Sequence, residues 1–600
     1  MSGLAGFIAL ISWEMGFEPI AGILRSVVAG VFLLSSTFLF IAVANVYVFR
    51  RRKSFVFPEA FPFNTTYEAG YRRYHDFLDY ILESFQRVDR ERGERTFSVH
   101  ALFLPTFVFT NSVENITHIL KDNFDNYVKG PAMKFRFRPL LGDGIFNSDG
   151  ASWRWHRKTS AYLFNVSAFR STVLTTFNKH ASHVIRILQE RNDVPLDLHA
   201  LMHSFTLDSI GEIAFGMRIG SLDTHARRSS PHELQASPGV DFEKSFDYLQ
   251  SFAAEMYTNP FWPFKRLFTS HLWRFSQHVR TVDRYAYAAV AQCRAEMQQR
   301  KDTSAIPSQK QRADLLSLYF AHKIAPVDGN NDEDEDESGK KKKNQQPELS
   351  DKVLRDILLN FVIAGRDTTA QALSWALLEL SGHQHVQQRA RDEVFAEWKG
   401  AALARQHQLP SCDGKGDSAP PGPGPDFGSS DPDPEADPEA NPEAVSYEAL
   451  GRMRYLDAVC HETLRLYPSV PKEAKYAVKD DVLPDGYRVH KGDSVCFFPW
   501  VMGRTEALWG ADCLDFRPER FFDMTTKPSP FVFSAFQAGP RTCLGQNLAL
   551  LEMKCALARL LAVFKFAPLP GLASPQDKIS YGISLTLPMD KALRLQVDHC

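Results

Sequence analysis

The side chain with the clearest chemical potential in this chain is Cys543, in the segment SAFQAGPRTCLG (534–545) ahead of a long amphipathic stretch. A thiolate is stabilised near neutral pH by a helix N-terminus, by positive charge or by a metal, and the sequence supplies the first two. Gly539 and Gly545 permit close approach of a flat ligand, and Arg541 offers a fork of donors suited to a carboxylate. The loop favours a clamp for a planar, metal-bearing cofactor. A small buried hydrophobic cysteine is the alternative.

A second segment, NFVIAGRDTTA (360–370), places poor helix formers inside an otherwise good helical pattern. Gly365 costs a helix about 1 kcal/mol, and β-branched threonines follow it. A threonine hydroxyl in mid-helix can bond to a preceding carbonyl and open the helix, so that backbone, hydroxyl and water meet a small ligand in a groove. The alternative is that Gly365 allows close packing against a neighbouring helix.

Two residue pairs with helical spacing complete the chemistry-bearing set. Glu462 and Arg465 stand three apart in HETLRLYPSVP, which in isolation is a surface pair worth roughly a few tenths of a kcal/mol. Their apolar neighbourhood, with Arg520 in the later segment PERF, favours a buried network. Trp153 and Arg157 stand one helical turn apart, a spacing that is also common for a snorkelling pair on a helix surface.

The loop around Cys543 follows the pattern FxxGxRxCxG and at every specified position resembles the haem-binding loop of the cytochrome P450 family. The resemblance implies haem b as cofactor, with Cys543 as the axial thiolate of its iron. It also implies that Phe536 packs against the ring on the thiolate side and that Arg541 pairs with a haem propionate.

The other motifs resemble elements of the same family. In the oxygen-activation motif, Asp367 and Thr368 are the acid and alcohol that deliver protons, while Ala364 and Gly365 make room for O2. In the ExxR and PERF elements, Glu462, Arg465 and Arg520 form a structural network behind the haem. The WxxxR pair, Trp153 and Arg157, would bind the haem propionates. Lys475 would do the same, as its offset from the ExxR element suggests.

Several segments, among them LLGDGIFNSDG and FVIAGRDTTAQALSW, are most similar to the fatty-acid ω-hydroxylase branch of plants and fungi. The resemblance implies insertion of one oxygen atom into a terminal or near-terminal C–H bond of a long acyl chain. Candidate pocket walls by analogy are Phe361, Val470 and Leu585, each of which is equally a good core residue. The alternatives are a monooxygenase of sterols, alkanes or other lipophilic compounds, a haem-thiolate hydroperoxide isomerase or lyase, and a membrane haem-binding protein without catalysis.

The elements that must position these residues are mostly helical. Apolar residues recur at helical spacing in 351–379, 447–466 and 546–564, whereas the Pro- and Gly-punctuated stretch 476–498 indicates strands. We predict a mainly α fold with a smaller β region, and the resemblance implies the cytochrome P450 fold. A chain that is 44% apolar, with a net charge of −2, has a large core and no electrostatic reason to bind nucleic acid.

An uncharged apolar run near the N-terminus predicts a membrane anchor. Residues 26–49 form a run of 24 without a charge, which as a helix reaches about 36 Å, more than the roughly 30 Å of hydrocarbon. The basic residues 50–53 follow directly, so the positive-inside rule places the later chain in the cytoplasm. We expect the anchor to lie in the endoplasmic reticulum membrane. The expected organisation is a lumenal lead and single-pass anchor over 1–53 and a catalytic domain over 54–600. Whether residues 4–13 enter the membrane stays open.

Two low-complexity stretches interrupt the catalytic domain. Residues 327–347 hold acidic and basic blocks, and residues 410–444 are rich in proline, so both are expected to be solvated loop insertions. The sequence carries no GxGxxG fingerprint for a flavin or nicotinamide. The expected partners are therefore a separate NADPH-cytochrome P450 reductase, a lipophilic substrate and membrane lipid.

Overall fold

The computed structural model describes residues 26–37, 39–40, 76–99, 106–163, 167–190, 196–226, 238–258, 271–302, 350–407, 444–569, 580–582 and 584–599. The α-helices after residue 76 are α1 Phe77–Arg92, α2 Val113–Thr117, α3 Gly130–Leu141, α4 Gly150–Leu163, α5 Ser167–Glu190, α6 Leu198–Phe215, α7 Asp223–Ala226, α8 Pro238–Thr258, α9 His271–Asp302, α10 Asp351–Gly382, α11 Gln384–His407, α12 Tyr447–Arg452, α13 Arg454–Leu466, α14 Pro499–Met502, α15 Glu506–Trp509, α16 Glu519–Phe522 and α17 Gln546–Val563. The strands are β1 Thr96–Val99, β2 Phe107–Thr110, β3 Tyr127–Val128, β4 Glu473–Ala477, β5 Asp481–Val482, β6 Arg488–Val489, β7 Ser494–Phe497, β8 Phe564–Ala567 and β9 Gln596–His599.

The largest sheet joins strands from distant parts of the chain. Its five strands lie in the order β1-β2-β7-β4-β3. β1 and β2 pair antiparallel, with Thr96 opposite Thr110, while β2 and β7 run parallel. β4 pairs antiparallel with β7, which sets Lys475 opposite Val495. The sheet thereby brings the segment that follows α13 to the side of the molecule formed by the N-terminal strands.

The long helix α10 runs through the centre of the fold. Ser350 is its N-cap, and the Ser350 side-chain oxygen accepts a hydrogen bond from the Val353 N–H at 3.4 Å. Nearly all residues of the helix after its first turn are buried. Burial on nearly all sides places this helix in the interior of the domain, where its charged residues, such as Arg355 and Arg366, form ion pairs. It packs along α6, where a Cβ added to Gly365 would lie 2.6 Å from Ile210 Cδ1. Gly365 therefore does allow the close helix packing that the sequence left open.

The expectation of a mainly helical protein with a smaller sheet is confirmed. The periodic stretches 351–379 and 546–564 correspond to α10 and α17. The stretch 447–466 is divided at Met453 into α12 and α13, because the backbone of this residue leaves the helical region at ψ 79°.

The predicted membrane segment lies only partly within the described residues. Residues 26–37 and 39–40 are helical, and apolar side chains there are exposed, for example Leu33 at 69% and Phe40 at 73%. Within the ranges described above, no helix has the length and apolar character needed to cross a bilayer. The rest of the predicted span lies outside the described residues, as do residues 327–347 and almost all of 410–444, so the anchor and both insertions stay predictions.

Candidate active site

A cavity of about 1060 Å³ lies within the part of the chain that the structure describes. Its walls come from α3, α4, α10, α17, the strands β2, β4 and β7, and the loop before α17. The predicted site residues that line it are Trp153, Arg157, Ala364, Gly365, Thr368, Lys475, Phe536, Arg541, Cys543 and Gly545, together with the predicted pocket walls Phe361, Val470 and Leu585. The fold thus gathers residues that lie almost 400 positions apart along the chain around one space.

The cysteine loop is held by its own backbone. The Cys543 N–H donates to the Phe536 carbonyl at 2.8 Å, and the Thr542 hydroxyl donates to the Gly539 carbonyl at 2.7 Å. Gly539 has a φ of 67°, and a Cβ there would collide with the Leu120 carbonyl, so only glycine fits. α17 then begins at Gln546, with Gly545 at its N-cap. The loop therefore presents Cys543 just ahead of a helix N-terminus, with its side chain surrounded by protein but open to the cavity that it lines.

The positive charge that acts on the Cys543 sulfur comes from Arg157, which is distant along the chain from the cysteine loop. Burial raises the pKa of the Cys543 thiol, while the Gly545 N–H and the Arg157 guanidinium act in the opposite direction. Arg541, which lies two residues before Cys543 and is expected to pair with a propionate, donates to Asp149 Oδ1 at 2.8 Å. Burial therefore favours the neutral thiol, and a positive charge at the sulfur, such as a metal ion, would favour the thiolate.

The residues expected to address a propionate converge at one end of the cavity. The Arg541 guanidinium lies 4.5 Å from the centre of the Trp153 ring, and Arg157 donates to the Thr542 carbonyl. Lys475 is buried, with its Nζ 3.2 Å from Glu473 Oε2. Asp149 and Glu473 offset part of the positive charge of this group.

Lys129, which sequence reasoning missed, belongs to the same end. It lines the cavity, and burial together with nearby Lys475 lowers its pKa to about 8. The available signal was its position just before Gly130 and a proline, where a helix begins. The cations of this group outnumber the carboxylates, so the group suits a ligand with carboxylates of its own. The group consists of Lys129, Arg157, Lys475 and Arg541 with Asp149 and Glu473.

These features fit haem. The Cys543 sulfur borders the cavity and could serve as a ligand of the haem iron. The Gly539 turn leaves room beside the sulfur, and the excess of cations matches the two negative charges of the propionates. Phe536 lies on the cavity wall in the turn before Cys543, as expected for a residue against the ring.

The central helix contributes a hydroxyl to the opposite wall. The Thr368 hydroxyl donates to the Ala364 carbonyl at 2.6 Å, which is the back-bonding that the sequence predicted. The Ser469 hydroxyl donates to the Thr368 carbonyl at 2.7 Å, so the loop after α13 holds this turn of α10 in place. Ala364, Gly365 and Thr368 all face the cavity.

The structure separates Asp367 from its predicted partner Thr368. Asp367 is absent from the cavity wall; it is buried, and its Oδ1 accepts from Arg366 Nη1 at 2.8 Å. Burial alone would raise the pKa of Asp367, but Arg366 and His203 outweigh it and lower the pKa. Arg366 in turn pairs with Glu243 at 2.8 Å and with Asp247 at 2.5 Å. Consecutive helical residues point in different directions, so the acid and the alcohol address different surroundings.

Glu462 and Arg465 form a fully buried bidentate pair away from the cavity, with N–O distances of 2.7 and 2.8 Å. Arg465 also donates to the Cys513 carbonyl at 2.6 Å. The contact from Arg520 to Glu462 is long, at 3.5 Å, and the shorter ion pair of Arg520 is with Asp512, at 2.9 Å. The pair therefore fastens α13 to the segment before the cysteine loop. Removing one partner of such a pair costs roughly 3 to 5 kcal/mol.

Comparison with known proteins agrees with the geometry. The family model described as "Cytochrome P450" matches residues 77–408 and 439–592. The chain is 34% identical to Cytochrome P450 704C1 of Pinus taeda over 91% of this chain and 93% of that protein. It is 31% identical to Cytochrome P450 704B1 of Arabidopsis thaliana over 88% of this chain and 92% of that protein. A fungal relative, Cytochrome P450 monooxygenase cyp1 of Mycosarcoma maydis, is 30% identical over 80% of this chain and 66% of that protein. The cysteine loop, the cavity above it and these matches together show that the chain belongs to the cytochrome P450 family.

Proposed function

We propose that this protein is a haem-thiolate monooxygenase that hydroxylates long-chain fatty acids at or near the terminal carbon. The reaction is RH + O2 + NADPH + H+ to ROH + H2O + NADP+, with electrons supplied by a separate NADPH-cytochrome P450 reductase. The observation that carries the proposal is that Cys543, the α10 residues Ala364, Gly365 and Thr368, and a large apolar wall meet in one cavity.

Bound haem supplies the oxygen chemistry, and the chain supplies the positions. Cys543 would offer its sulfur to the haem iron, and the cations around Lys475 and Arg541 would hold the propionates. Thr368 places a hydroxyl on the opposite wall, where it can hold and pass a proton. The aromatic and aliphatic residues of the cavity exclude water and hold a hydrocarbon chain.

The fatty-acid substrate is supported by the resemblance of several segments to the ω-hydroxylase branch and by the shape of the cavity. The predicted pocket walls Phe361, Val470 and Leu585 all line the cavity, so an acyl chain there would contact apolar side chains in the cavity that Thr368 also lines. The plant and fungal origin of the relatives agrees with that branch.

The membrane location is part of the same proposal. Apolar side chains of 26–37 and 39–40, such as Leu33 and Phe40, are exposed, which is unfavourable in water and favourable in a bilayer. A single-pass anchor in the endoplasmic reticulum, with the catalytic domain in the cytoplasm, would bring the enzyme to the reductase and to lipid substrates.

The test uses the full-length protein with reductase, NADPH and lauric, palmitic or oleic acid. We expect a thiolate-haem band in the reduced carbon-monoxide difference spectrum, NADPH-dependent oxygen uptake, and terminal or near-terminal hydroxy acids. Cys543→Ala should abolish the band, while Cys293→Ala, on α9 outside the cavity, should retain it.

Different failures of this test point to different alternatives. Turnover of hydroperoxides without NADPH would favour the isomerase or lyase reading. Oxidation of sterols or alkanes without hydroxylated fatty acids would remove the substrate assignment. A normal spectrum without any turnover would favour a haem-binding protein that does not catalyse.

A further inference from the structure

Backbone groups of the loop that follows α3 are bound by side chains of the central helix α10. The Asp143 N–H donates to Asp356 Oδ2 at 3.0 Å, and the Phe146 N–H donates to Asn360 Oδ1 at 3.1 Å. Asn360 Nδ2 donates back to the Leu141 carbonyl at 2.9 Å. Asp356 and Asn360 are buried and lie one turn apart on α10, so they bind the loop from one face of the helix.

Arg355 extends this attachment to the end of α3. Its guanidinium donates to the Leu140 carbonyl at 3.1 Å and to the Pro139 carbonyl at 2.8 Å. Carbonyls at the C-terminal end of a helix have no partner within the helix, so these bonds satisfy groups that would otherwise need water. We call the segment 139–146 and the three α10 side chains that bind it the loop clamp.

Two glycines of the segment allow α10 to come this close. A Cβ on Gly142 would collide with the Asp356 carboxylate, and a Cβ on Gly144 would collide with the Asn360 amide. The backbone of Gly142 is also left-handed, with a φ of 55°, whereas that of Gly144 is not. Gly144 is therefore required by its contact with Asn360 and not by its backbone conformation.

The loop clamp fixes the position of one wall of the cavity. Ile145 and Phe146 belong to that wall, and Asn360 lines the cavity beside them. Asn360, Ala364 and Thr368 follow one another at intervals of one turn, so each lies about 6 Å from the next along the α10 axis. The loop is thus bound one turn away from Ala364, whose carbonyl accepts the Thr368 hydroxyl. A wall fixed there limits how a substrate enters the space in front of Thr368.

A fixed wall at this place favours one end of a long substrate. Loop backbone that bonds to water can move, whereas backbone that bonds to buried side chains of a packed helix moves only when those bonds break. An acyl chain that enters end first needs the width of one chain. A chain that presents an in-chain methylene must place chain on both sides of the reacting carbon, which needs more width than a rigid wall leaves.

We propose that Asn360 is a positioning residue which, through the loop clamp, makes the enzyme select the terminal carbon of an acyl chain over its in-chain methylenes. This inference rests on the proposed hydroxylation of long-chain fatty acids. Asn360 acts by holding Phe146 and its neighbour Ile145 against the substrate space, and it takes no part in the oxygen chemistry.

The first test measures the loop itself and does not depend on turnover. In the full-length holoprotein, amide hydrogen exchange of residues 139–147 should be at least about tenfold faster in Asn360→Ala than in the wild type. Asn178→Ala is the matched control, because Asn178 binds the Val445 N–H and carbonyl in the same manner, at 2.9 and 3.1 Å, outside the cavity wall. It should leave exchange of 139–147 unchanged. Exchange of 139–147 in Asn360→Ala as slow as in the wild type would overturn the proposal.

The second test measures the ratio of terminal to in-chain hydroxylated products from palmitic acid, with the haem content of each variant determined. Asn360→Ala should lower this ratio by about tenfold, the smallest discrimination that one methylene group gives in a hydrophobic pocket. Gly144→Ala should lower it as well, because the new Cβ displaces the loop while every α10 side chain stays, so it tests the clamp even if Asn360→Ala fails to fold. Gly451→Ala, with open space around its Cβ, should leave the ratio unchanged.

The double variant Asn360→Ala, Gly144→Ala separates the clamp from a general loss of stability. The three atoms nearest to a Cβ at position 144 all belong to Asn360, so without them the methyl group is accommodated and the two effects should not add. Additive effects, or a loosened loop with an unchanged product ratio, would contradict the role of Asn360. A wild type that hydroxylates no fatty acid would instead count against the proposed function. The exchange result does not depend on that outcome, so the two failures are distinguishable.

Discussion

At the scale of single residues, the cavity combines groups whose protonation is set by their surroundings. Burial raises the pKa of the Cys543 thiol, while Arg366 and His203 keep Asp367 ionised. The Thr368 side chain is uncharged. Its hydroxyl lies on the cavity wall and donates a hydrogen bond to the Ala364 carbonyl. These differences assign each group a separate task.

Thr368→Ala should leave the haem bound and uncouple oxygen reduction from hydroxylation. The hydroxyl that can hold a proton or water on the α10 wall is lost, so reduced oxygen would leave as peroxide or water. The measurement is the ratio of hydroxylated product and hydrogen peroxide to NADPH consumed. We expect the product ratio to fall by about tenfold or more.

Thr117→Ala is the matched control for this change. The Thr117 hydroxyl makes the same type of back-bond, to the Val113 carbonyl at 2.7 Å, outside the cavity wall. A Thr368→Ala enzyme as tightly coupled as this control would contradict the assignment.

At the scale of elements, the site depends on how closely helices approach one another. α10 and α6 meet at Gly365 and Ile210, and α13 is fastened by the buried Glu462–Arg465 pair. α5 and α6 are joined by an ion pair in which Lys179 and His180 contact Glu212, at 3.0 Å each. The cavity keeps its shape because these contacts leave the helices little freedom.

Gly365→Ala should destabilise the protein by about 1 to 3 kcal/mol, because the new Cβ would stand 2.6 Å from Ile210 Cδ1 and the helices must separate. Chemical denaturation measures this loss. Gly451→Ala, in α12, is the control, since nothing lies within 4 Å of its added Cβ. Ile210→Val should restore part of the loss in the double variant, and a Gly365→Ala protein as stable as the control would refute the packing argument.

Glu212→Gln should lower the free energy of unfolding at pH 7 by up to about 3 kcal/mol. Burial alone raises the pKa of Glu212, but His180 and Lys179 outweigh it and lower the pKa to about 2, below the ordinary 4.5. A depressed pKa stabilises the fold above pH 4.5, and that contribution is lost as the pH falls towards 2. Unfolding curves of both proteins from pH 7 down to 3 should therefore converge, and a difference that does not depend on pH would contradict this linkage.

At the scale of the whole molecule, a catalytic body covered by the cytochrome P450 match is preceded by an apolar segment. The match leaves out residues 409–438, which largely coincide with the predicted proline-rich insertion. Only the apolar segment bears on the proposed membrane location, because side chains in its described part, such as Leu33 and Phe40, are exposed.

Removal of residues 1–53 should release the protein from membranes while keeping its carbon-monoxide difference spectrum. The apolar run 26–49 is lost, and the site residues from Trp153 onward are untouched. Fractionation of cells that express the full and shortened chains measures this. A shortened protein that still sediments with membranes in alkaline carbonate would show that another surface inserts in the bilayer.

The amino-acid sequence by itself determined the family, the mainly helical fold and the back-bond of Thr368, and it predicted Cys543 as the haem ligand. Each of these follows from residues that are neighbours along the chain or one helical turn apart, where spacing alone specifies geometry. The periodic pattern also placed α10 and α17 to within a few residues.

Only the tertiary structure decided which charges face which groups. Arg157 rather than Arg541 faces the sulfur, Asp367 turns to Arg366, and Lys129 joins the cations at one end of the cavity. The contacts of Asp356 with Asp143 and of Asn360 with Phe146 likewise join residues 213 and 214 positions apart, which no local pattern records. Electrostatic effects depend on distance and desolvation between elements far apart in the chain, so the pairing of charges becomes visible only once the chain is folded.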